Sequence, residues 1–359
     1  MRLKRGVAIA GTHGKTTTTS LVASIFLEAQ LHPTIAVGGR LSIIDSTAQL
    51  GGGEWFIAEA DESDGSFNKL NPEISVITNI DLDHMDFYKN FENLKTAFAE
   101  FANRIPFYGQ LIACGDDPGI RQCLSNYKKR VLYYGFNANN NLQISGSNGT
   151  YFFKLIDQQT EKNLGEIKLK LPGTHNALNS AAALAVGLNA GVDFATIKKA
   201  LENFSGVDRR FQLKEIVNSI HIYDDYGHHP TEVRATLQAF KEKFPQNRLA
   251  VYFQPHRYSR TKDCWLDFQN SFELADQVFM GSIYAAGESP IEGISSDQLV
   301  IEMQKKFPKK MNSIFNCPTR DIALSDVLKY LQPNDIFVTL GAGDGWKLGL
   351  DVIANLKKR

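Results

Sequence analysis

The chemistry that this sequence suggests begins at Gly11-Thr12-His13-Gly14-Lys15-Thr16, a short loop with two glycines that ends in lysine and threonine. Glycines allow an anion to approach the backbone closely. The Lys15 ammonium can reach the β and γ phosphates of a nucleotide, and the Thr16 hydroxyl is placed to bind the accompanying Mg²⁺. The loop therefore predicts a site for ATP or GTP, and the expected contacts are Gly11, Thr12, His13, Gly14, Lys15, Thr16 and Thr17.

The elements on either side of this loop support that interpretation. Val7-Ala8-Ile9-Ala10 is typical of a buried strand, and the residues from Thr16 to Phe26 have the apolar spacing of a helix. A strand, a tight turn and a helix aim several backbone N–H groups and the positive end of the helix dipole at one point. Ile9 stands where the usual eight-residue motif has glycine, so we interpret the loop as a shortened variant.

A carboxylate ends the next long apolar segment, Trp55-Phe56-Ile57-Ala58-Glu59-Ala60. Ligands of open α/β sheets collect at the carboxyl ends of strands, where both Glu59 and the phosphate loop are expected to lie. Glu59 is therefore predicted to bind Mg²⁺ beside Thr16. The acids that follow, Glu62 and Asp64, are typical of a solvated turn.

Two further groups of polar residues follow predicted elements. His84 comes after the strand Ile74–Thr78, between aspartates, and it could bind a metal, orient a phosphate, or simply be a packed or solvated histidine. Asn176 and Asn179 lie three residues apart at the start of an alanine-rich helix, so they share one face. Their amides could contact a purine or a phosphate, and Asn176 could instead cap the helix.

The alternation of strands and helices restarts beyond Gly206, with strands expected at 220–223, 249–253, 277–280 and 336–340. The fold class predicted is α/β, with a phosphate-loop ATPase domain and a mostly parallel sheet over residues 1–206. A Rossmann-like, doubly wound domain is predicted over residues 207–359. Residues 131–171 are expected to add antiparallel strands at the edge of the first sheet.

Polar clusters also follow the strands of the second domain, at 224–230, 254–261 and 341–344. Because the carboxyl ends of parallel strands meet at one edge of a sheet, these clusters predict a second binding site. Arg257 and Arg260 lie beside aromatic and histidine residues at such an end, which favours a role in the site over ordinary surface charge.

Composition and charge exclude several classes of function. The chain has 359 residues with 39 basic and 39 acidic side chains, so it offers no net field for nucleic acid or an anionic membrane. Every apolar run is much shorter than a membrane span. The four cysteines are scattered without metal or disulfide spacing, which is typical of reduced, inert thiols. These features predict a cytoplasmic protein without a nucleic-acid or membrane partner.

The sequence resembles the Mur ligases over nearly its whole length. The strings that carry the resemblance, in this order, are GTHGKTTTT, EADESDGSF, TNIDLDHMD, HNALN, RRF, DDYGHHPTE and FQPHRYSRT. Within the family they are most similar to the branch that joins L-alanine to UDP-N-acetylmuramate. The resemblance implies an ATP- and Mg²⁺-dependent amide ligase of peptidoglycan synthesis, in which ATP phosphorylates the muramoyl carboxylate and the amine of L-alanine attacks the acyl phosphate.

The resemblance also implies roles for individual residues. Lys15 matches the γ-phosphate lysine, Thr16 and Glu59 match ligands of one Mg²⁺, and His84 matches a ligand of a second. Asn176 and Asn179 match residues near the nucleotide, and Arg210 matches an arginine near the terminal phosphate. Asp225 matches an acid that the C-terminal domain brings to the site. The residues that match the region of the amino acid and the new acyl centre are Tyr226, His228, Arg257 and Arg260. We expect the catalytic set to be Lys15, His84, Arg210, Asp225 and His228.

One departure from the family concerns the start of the chain. Mur ligases carry a first domain, which binds the uridine diphosphate part of the substrate, before the phosphate-loop strand. Here Met1–Arg5 resemble the linker that follows that domain, so we expect the chain alone to be a poor ligase, and a monomer or weak homodimer. Two alternatives stay open: a sister ligase that attaches a preformed peptide to the same sugar nucleotide, and an ATP-binding module without ligase activity.

Overall fold

The chain divides into two compact units, Met1–Asp208 and Arg209–Arg359. The computed structural model describes residues 1, 3–41, 43–157, 160–308 and 313–358. Among these residues, none of the helices combines the length and the apolar character that crossing a membrane requires. Cys114, Cys123, Cys264 and Cys317 are all free thiols.

The first unit is built on one large mixed sheet. Its strands are β1 (Arg5–Ala10), β2 (Thr34–Leu41), β3 (Ser46–Gln49), β4 (Trp55–Glu59), β5 (Ile74–Ile77), β6 (Gln110–Cys114), β7 (Val131–Gly135), β8 (Leu142–Ser147), β9 (Thr150–Asp157) and β10 (Thr160–Lys168). Their order across the sheet is β10-β9-β8-β7-β6-β5-β1-β4-β2-β3. Parallel pairs run from β8 through to β2, and the antiparallel pairs lie at the two edges.

The register of the central strands sets the position of the site. Ile9 of β1 lies opposite Glu59 of β4, and Ala10 lies opposite Ile77 of β5. All three strands run in the same direction, so the phosphate loop, the acidic segment after β4 and Thr78 leave the sheet at the same edge. The predicted mostly parallel α/β sheet is confirmed.

Helices cover both faces of this sheet. They are α1 (Lys15–Glu28), α2 (Met85–Tyr88), α3 (Phe91–Asn103), α4 (Pro118–Cys123), α5 (Thr174–Asn189) and α6 (Phe194–Asn203), with a short 3₁₀ helix at Ser66–Lys69. α1 is buried on nearly every side, from Thr17 to Phe26, and packs against α5. Three of its hydroxyls, those of Thr19, Ser20 and Ser24, donate to carbonyls one turn earlier in the helix. The buried α1 holds the loop before it firmly.

One local expectation for the first unit was wrong in detail, and two other features of its chain path have a local cause. β2 runs through Gly38 and Gly39 to Leu41, because the two glycines allow it to pass close to the side chains of Glu59 and Thr16. β7 is parallel to both its neighbours, so only the segment from β8 to β10 is antiparallel. The helix α4 begins at Pro118, because the Asp117 side chain accepts from the amide of Ile120 and proline fixes the first helical residue.

The second unit has a smaller doubly wound sheet. Its strands are β11 (Gln212–Val217), β12 (Ile220–Asp225), β13 (Leu249–Phe253), β14 (Gln277–Gly281), β15 (Ile314–Cys317) and β16 (Ile336–Leu340). Its helices are α7 (Pro230–Lys243), α8 (Tyr258–Asp263), α9 (Trp265–Gln269), α10 (Ser296–Lys306), α11 (Arg320–Tyr330) and α12 (Trp346–Leu356). The strand order is β11-β12-β16-β13-β14-β15, and only β11 is antiparallel to its neighbour.

The four strands expected in this unit are confirmed, and two more lie at the edges of the sheet. β11 and β15 were not predicted because edge strands are buried on fewer sides and lack a continuous apolar run. β12, β16 and β13 lie side by side at the centre, so the segments after their carboxyl ends are neighbours.

Candidate active site

The phosphate loop leaves β1 at Gly11 and enters α1 at Lys15. Gly14 has the left-handed conformation, with φ of 82°, and a Cβ at this position would lie 2.6 Å from Oδ1 of Asn179. A Cβ at Gly11, where φ is 135°, would lie 2.0 Å from Oγ1 of Thr78. Both positions therefore require glycine. The first N–H groups of α1 have no partner within the helix, as in every helix, and their position suits an anion.

The segment after β5 fixes the loop from one side. The Thr12 amide donates to the carbonyl of Asn79 at 3.1 Å, and the His13 amide donates to Oδ1 of Asn79 at 2.8 Å. The carbonyl of His13 accepts from Thr78 Oγ1 at 2.6 Å and from Asn79 Nδ2 at 3.0 Å. Thr78 and Asn79 were not recognised as site residues in the sequence, because polar residues after a strand are common. The loop owes its rigidity to them.

The side chain of His13 also points to this segment. Its Nε2 lies 2.9 Å from Oδ2 of Asp81, and the Asp81 amide donates to Oγ1 of Thr12 at 2.9 Å. The expected contact residues Gly11, Thr12 and His13 therefore form one hydrogen-bonded unit with 78–81. Thr17, the last of the expected nucleotide contacts, is buried within the first turn of α1.

Lys15 crosses back over its own loop to reach a carboxylate. Its Nζ donates to the carbonyls of Gly11 at 2.7 Å and Thr12 at 3.1 Å. It also lies 3.0 Å from Oε1 and 2.8 Å from Oε2 of Glu62. Glu62 is fully buried, with a relative exposure of 0%. Burial raises the pKa of the Glu62 carboxyl, and the charge of Lys15 opposes that change.

The prediction that Glu62 belongs to a solvated turn was therefore wrong, whereas Asp64 is exposed as expected. The chain turns between Glu62 and Gly65, whose amide donates to the Glu62 carbonyl at 3.0 Å, and this turn directs the Glu62 side chain inward. The sequence offers no local signal for this pairing, because Lys15 and Glu62 meet only through the packing of β1 beside β4.

Thr16 and Glu59 come together at the carboxyl end of the sheet. Thr16 Oγ1 donates to Oε1 of Glu59 at 2.9 Å, and the Gly38 amide donates to Oε2 at 2.6 Å. A hydroxyl and a carboxylate held side by side supply the hard oxygen donors that Mg²⁺ prefers. The donor chemistry of this pair fits a magnesium site.

His84 is the N-cap residue of the short helix α2 and has a left-handed conformation, with φ of 57°. Its Nε2 lies 3.7 Å from Oε1 of Glu62 and 3.7 Å from Oδ2 of Asp83. Glu62 thus lies between Lys15 and His84. The side chain of His84 is largely buried, so a solvated histidine does not fit, and a packed residue, a metal ligand and a phosphate-orienting group stay open.

Asn176 and Asn179 are both buried in the first turns of α5. Gly173 occupies the N-cap position, so Asn176 does not cap the helix, and its Nδ2 donates instead to the carbonyl of Pro172 at 2.7 Å. Asn179 accepts from Thr18 Oγ1 at 3.2 Å and lies beside Gly14. Asn179 therefore adjoins the phosphate loop, and nucleotide contact by both residues stays a prediction.

In the second unit, the two arginines of the RRF string have different surroundings. Arg209 donates to Oδ2 of Asp224 at 2.8 Å and to the carbonyl of Gly341 at 2.6 Å, so it ties two strand ends together. Arg210 lies 3.7 Å from Glu232, and its guanidinium lies 5.1 Å from the ring centre of Tyr226. Arg210, the predicted site residue, is the less constrained of the two.

Asp225 and His228 are held by the turn that follows β12. The Asp225 carboxylate accepts from the amides of Phe211 at 2.7 Å and Gly227 at 2.8 Å. Burial raises the pKa of the Asp225 carboxyl, against the opposing charge of Arg210. His228 Nδ1 lies 3.1 Å from the carbonyl of Tyr226 and 3.4 Å from Oε2 of Glu232. Two oxygen acceptors at Nδ1 favour the tautomer that carries its proton there.

Arg257 and Arg260 flank the start of α8. The Arg257 amide donates to the carbonyl of Tyr284 at 2.8 Å, and Arg260 lies 3.3 Å from Nδ1 of His256. The His256 ring is stacked on that of Tyr284, with centres 5.5 Å apart. Within the part of the chain that the structure describes, the Arg257 guanidinium has no hydrogen-bond partner. Arg257 therefore places a permanent positive charge in the segment after the carboxyl end of β13.

A neighbouring acid holds this arginine segment. Glu288 accepts from the amide of Ser259 at 3.0 Å and from its hydroxyl at 2.6 Å. Burial acts against ionisation of Glu288, but the Ser259 hydrogen bonds and the charge of Arg257 together lower its pKa. In the second unit, the structure thus brings Arg210, Asp225, Tyr226 and His228 together, and Arg257 and Arg260 lie on the neighbouring segment after β13.

Comparisons with known proteins match both units of the chain to one family. The model of the Mur ligase middle domain matches residues 9–187, which include the phosphate loop, Glu59 and His84. The model described as the Mur ligase, glutamate ligase domain matches residues 209–343, which include Arg210 and both arginines of α8 and its N-cap.

Whole-chain relatives agree. A UDP-N-acetylmuramate–L-alanine ligase of Bdellovibrio bacteriovorus is 55% identical over 99% of this chain and 78% of its own length. One from Geobacter sp. strain M21 is 45% identical over 99% of this chain and 77% of its own length. The crystal structure of a UDP-N-acetylmuramate–alanine ligase from Thermotoga maritima, 26% identical, superposes with a TM-score of 0.78 over 99% of this chain and 76% of that one. The chain belongs to the Mur ligase family of ATP-dependent, amide-forming ligases.

Proposed function

We propose that this ligase joins L-alanine to the carboxylate of UDP-N-acetylmuramate in the cytoplasm and converts ATP to ADP and phosphate. The relatives at 55% and 45% identity are both named UDP-N-acetylmuramate–L-alanine ligase. The observation that carries the proposal is the joint position of Lys15, Thr16 and Glu59 at one sheet edge, because it is the arrangement that phosphoryl transfer from a nucleotide requires.

The first unit would bind the nucleotide phosphates. The start of α1 presents N–H groups and the helix dipole to the β and γ phosphates, and Lys15 adds a positive charge that stabilises the negative charge of the transition state. Asn176 and Asn179 are the proposed contacts of the rest of the nucleotide, and Arg210 of the second unit is the proposed partner of the terminal phosphate.

Magnesium has two proposed positions. Thr16 and Glu59 would hold one ion, for which their oxygen donors fit, and His84 would be a ligand of a second. When bound, Mg²⁺ lowers the repulsion between the anionic carboxylate of the substrate and the phosphates.

The second unit would bind the amino acid. Arg257 and Arg260 are proposed to bind the carboxylate of L-alanine, because guanidinium groups match carboxylates in shape and charge. Tyr226 and His228 are proposed to lie beside the amine. In the neutral tautomer with the proton on Nδ1, Nε2 of His228 is the nitrogen able to take a proton from the ammonium of L-alanine. Asp225 would support the turn that carries His228, through its backbone hydrogen bonds.

The reaction then has two steps that balance. A carboxylate oxygen of the muramoyl group attacks the γ phosphorus, and the bond from that phosphorus to the bridging oxygen breaks to release ADP. The amine of L-alanine attacks the acyl carbon, loses one proton, and the bond from the acyl carbon to the phosphate oxygen breaks. The products are the amide, ADP and phosphate.

The test is a product assay with ATP, Mg²⁺, UDP-N-acetylmuramate and either L-alanine or a tripeptide that begins with L-alanine. We expect mass spectrometry to detect the L-alanyl product, formed in equal amount to ADP. Preferential use of the tripeptide would show a peptide ligase instead, and ADP formation without any amide would show a nucleotide-binding module. The oligomeric state stays a prediction.

A further inference from the structure

Glu62 is a buried acid that the proposed reaction leaves without a role. Its carboxylate lies between the Lys15 ammonium, at 2.8 Å and 3.0 Å, and Nε2 of His84, at 3.7 Å. A buried carboxylate costs free energy even when it is paired, and an apolar side chain of similar volume is often at least as stabilising. A purely structural reason for glutamate at this position is therefore weak.

The backbone around Glu62 is fixed from two directions. Its carbonyl accepts from the amide of Gly65 and from the hydroxyl of Tyr88, which is buried at the end of α2. The Tyr88 carbonyl in turn accepts from Nδ2 of Asn93 at 2.8 Å. Tyr88 thus links the turn that carries Glu62 to the helix that His84 begins.

The number of hydrogen bonds that the Lys15 ammonium can donate determines how Glu62 affects phosphate binding. An ammonium group has three N–H donors. Four oxygens surround Lys15 Nζ: the carbonyls of Gly11 and Thr12, at 2.7 Å and 3.1 Å, and Oε1 and Oε2 of Glu62, at 3.0 Å and 2.8 Å. A phosphate oxygen that binds Lys15 must share or displace one of these contacts. Glu62 differs from the two carbonyls because it carries a negative charge and lies on a separate segment.

We propose that Glu62 is a positioning residue for phosphoryl transfer, which orients the Lys15 ammonium and the His84 imidazole. The inference rests on the proposed function. Glu62 competes with the nucleotide for Lys15 in the ground state, and it keeps both side chains in place as negative charge develops at the phosphate. Interactions that act only in the transition state raise kcat, whereas equal binding of ground and transition states does not.

The variant that tests this is Glu62→Gln, which keeps the size of the side chain and removes its charge. We expect the affinity for ATP without Mg²⁺, measured by calorimetry, to be unchanged or tighter, because a competing negative charge is gone. We expect kcat for amide formation to fall by about tenfold or more, since a misoriented Lys15 stabilises the transition state less. Asp64→Asn, in the same acidic segment but exposed, is the matched control and should behave as wild type.

A second measurement does not depend on ligase activity. Lys15→Met should lower the melting temperature, because it leaves the Glu62 carboxylate buried without its partner, and Lys15→Met combined with Glu62→Gln should restore most of the loss. If wild type forms no amide, the proposed function is refuted. The coupling between Lys15 and Glu62 is then tested by the melting temperatures alone.

Two results would overturn the inference. One is a kcat for Glu62→Gln within about twofold of wild type, and the other is a parallel fall of kcat, nucleotide affinity and melting temperature, which marks a merely structural role. If Glu62→Gln does not fold, Tyr88→Phe removes only the hydroxyl that fixes the Glu62 backbone. Tyr88→Phe should also lower kcat without weakening nucleotide binding. An unchanged kcat for Tyr88→Phe would count against the inference.

Discussion

Replacement of Lys15 by methionine tests the nucleotide site most simply. Methionine keeps much of the length of the side chain and removes the ammonium. A hydrogen bond between charged partners contributes about 1.5–3 kcal/mol, and Lys15 is largely shielded from solvent, with a side-chain exposure of 14%. A loss of about 2 kcal/mol corresponds to an increase of about 30-fold in the Kd for ATP.

The same change also affects stability. Lys15→Met removes the donor to the carbonyls of Gly11 and Thr12 and the partner of Glu62. Loss of one partner of a buried ion pair costs about 3–5 kcal/mol of unfolding free energy, so the lower end, about 3 kcal/mol, is expected for a pair that retains some solvent contact. Binding must therefore be measured well below the melting temperature of the variant.

Isothermal calorimetry with a non-hydrolysable ATP analogue and Mg²⁺ gives the Kd directly, and urea unfolding gives the stability. Lys199→Met is a suitable control, because Lys199 also forms an ion pair, with Glu28, but its side chain is exposed and lies at α6. The control should bind the nucleotide as wild type does. A Kd for Lys15→Met within about threefold of wild type would refute the assignment of Lys15 to the phosphates.

Three further predictions concern other parts of the two units. Gly14→Ala should raise the Kd for ATP about tenfold or more, because alanine at a φ of 82° is strained and its Cβ meets a side-chain oxygen at 2.6 Å, whereas Gly52→Ala, in open space, should have no effect in the same calorimetry. Arg257→Met should raise the KM for L-alanine about tenfold or more in steady-state assays, and Arg234→Met, on the exposed side of α7, should not. Burial raises the pKa of Asp225, so its contribution to stability is fully present below its ordinary pKa of 3.8 and is lost as the pH rises through the raised value. The unfolding free energy of Asp225→Asn should therefore increase relative to that of wild type as the pH rises above about 4, and a constant difference in urea unfolding would contradict the prediction.

Much of the fold could be predicted from local patterns. The buried strands β1, β5 and β13 are nearly continuous apolar runs, which are typical of parallel strands covered on both faces. Edge strands such as β11 and β15 could not be predicted, because they have neither a continuous apolar run nor a regular alternation of exposure, and their pairing depends on the strand beside them. The direction of β7 was wrong for the same reason.

The candidate site was predictable where one stretch of sequence carries all the chemistry. Lys15 and Thr16 follow from the loop itself, and Glu59 follows from its place at the end of a strand. Glu62 and Thr78 did not follow, because their roles depend on contacts with residues tens of positions away in the chain: Glu62 with Lys15, and Thr78 with the carbonyl of His13. The sequence around Glu62 is typical of a solvated turn because neighbouring acids are usually exposed, whereas the burial of Glu62 arises from the packing of the sheet.

Single-turnover amide formation is the most direct test of whether this chain joins L-alanine to UDP-N-acetylmuramate. Enzyme in excess over radiolabelled UDP-N-acetylmuramate, with ATP, Mg²⁺ and L-alanine, allows even a slow reaction to be followed to completion. We predict that the label moves into the L-alanyl product, that ADP and phosphate appear in equal amounts with it, and that omission of L-alanine abolishes the product. Labelled substrate that stays unchanged while ATP is hydrolysed, or that is converted only when a tripeptide replaces L-alanine, would contradict the account.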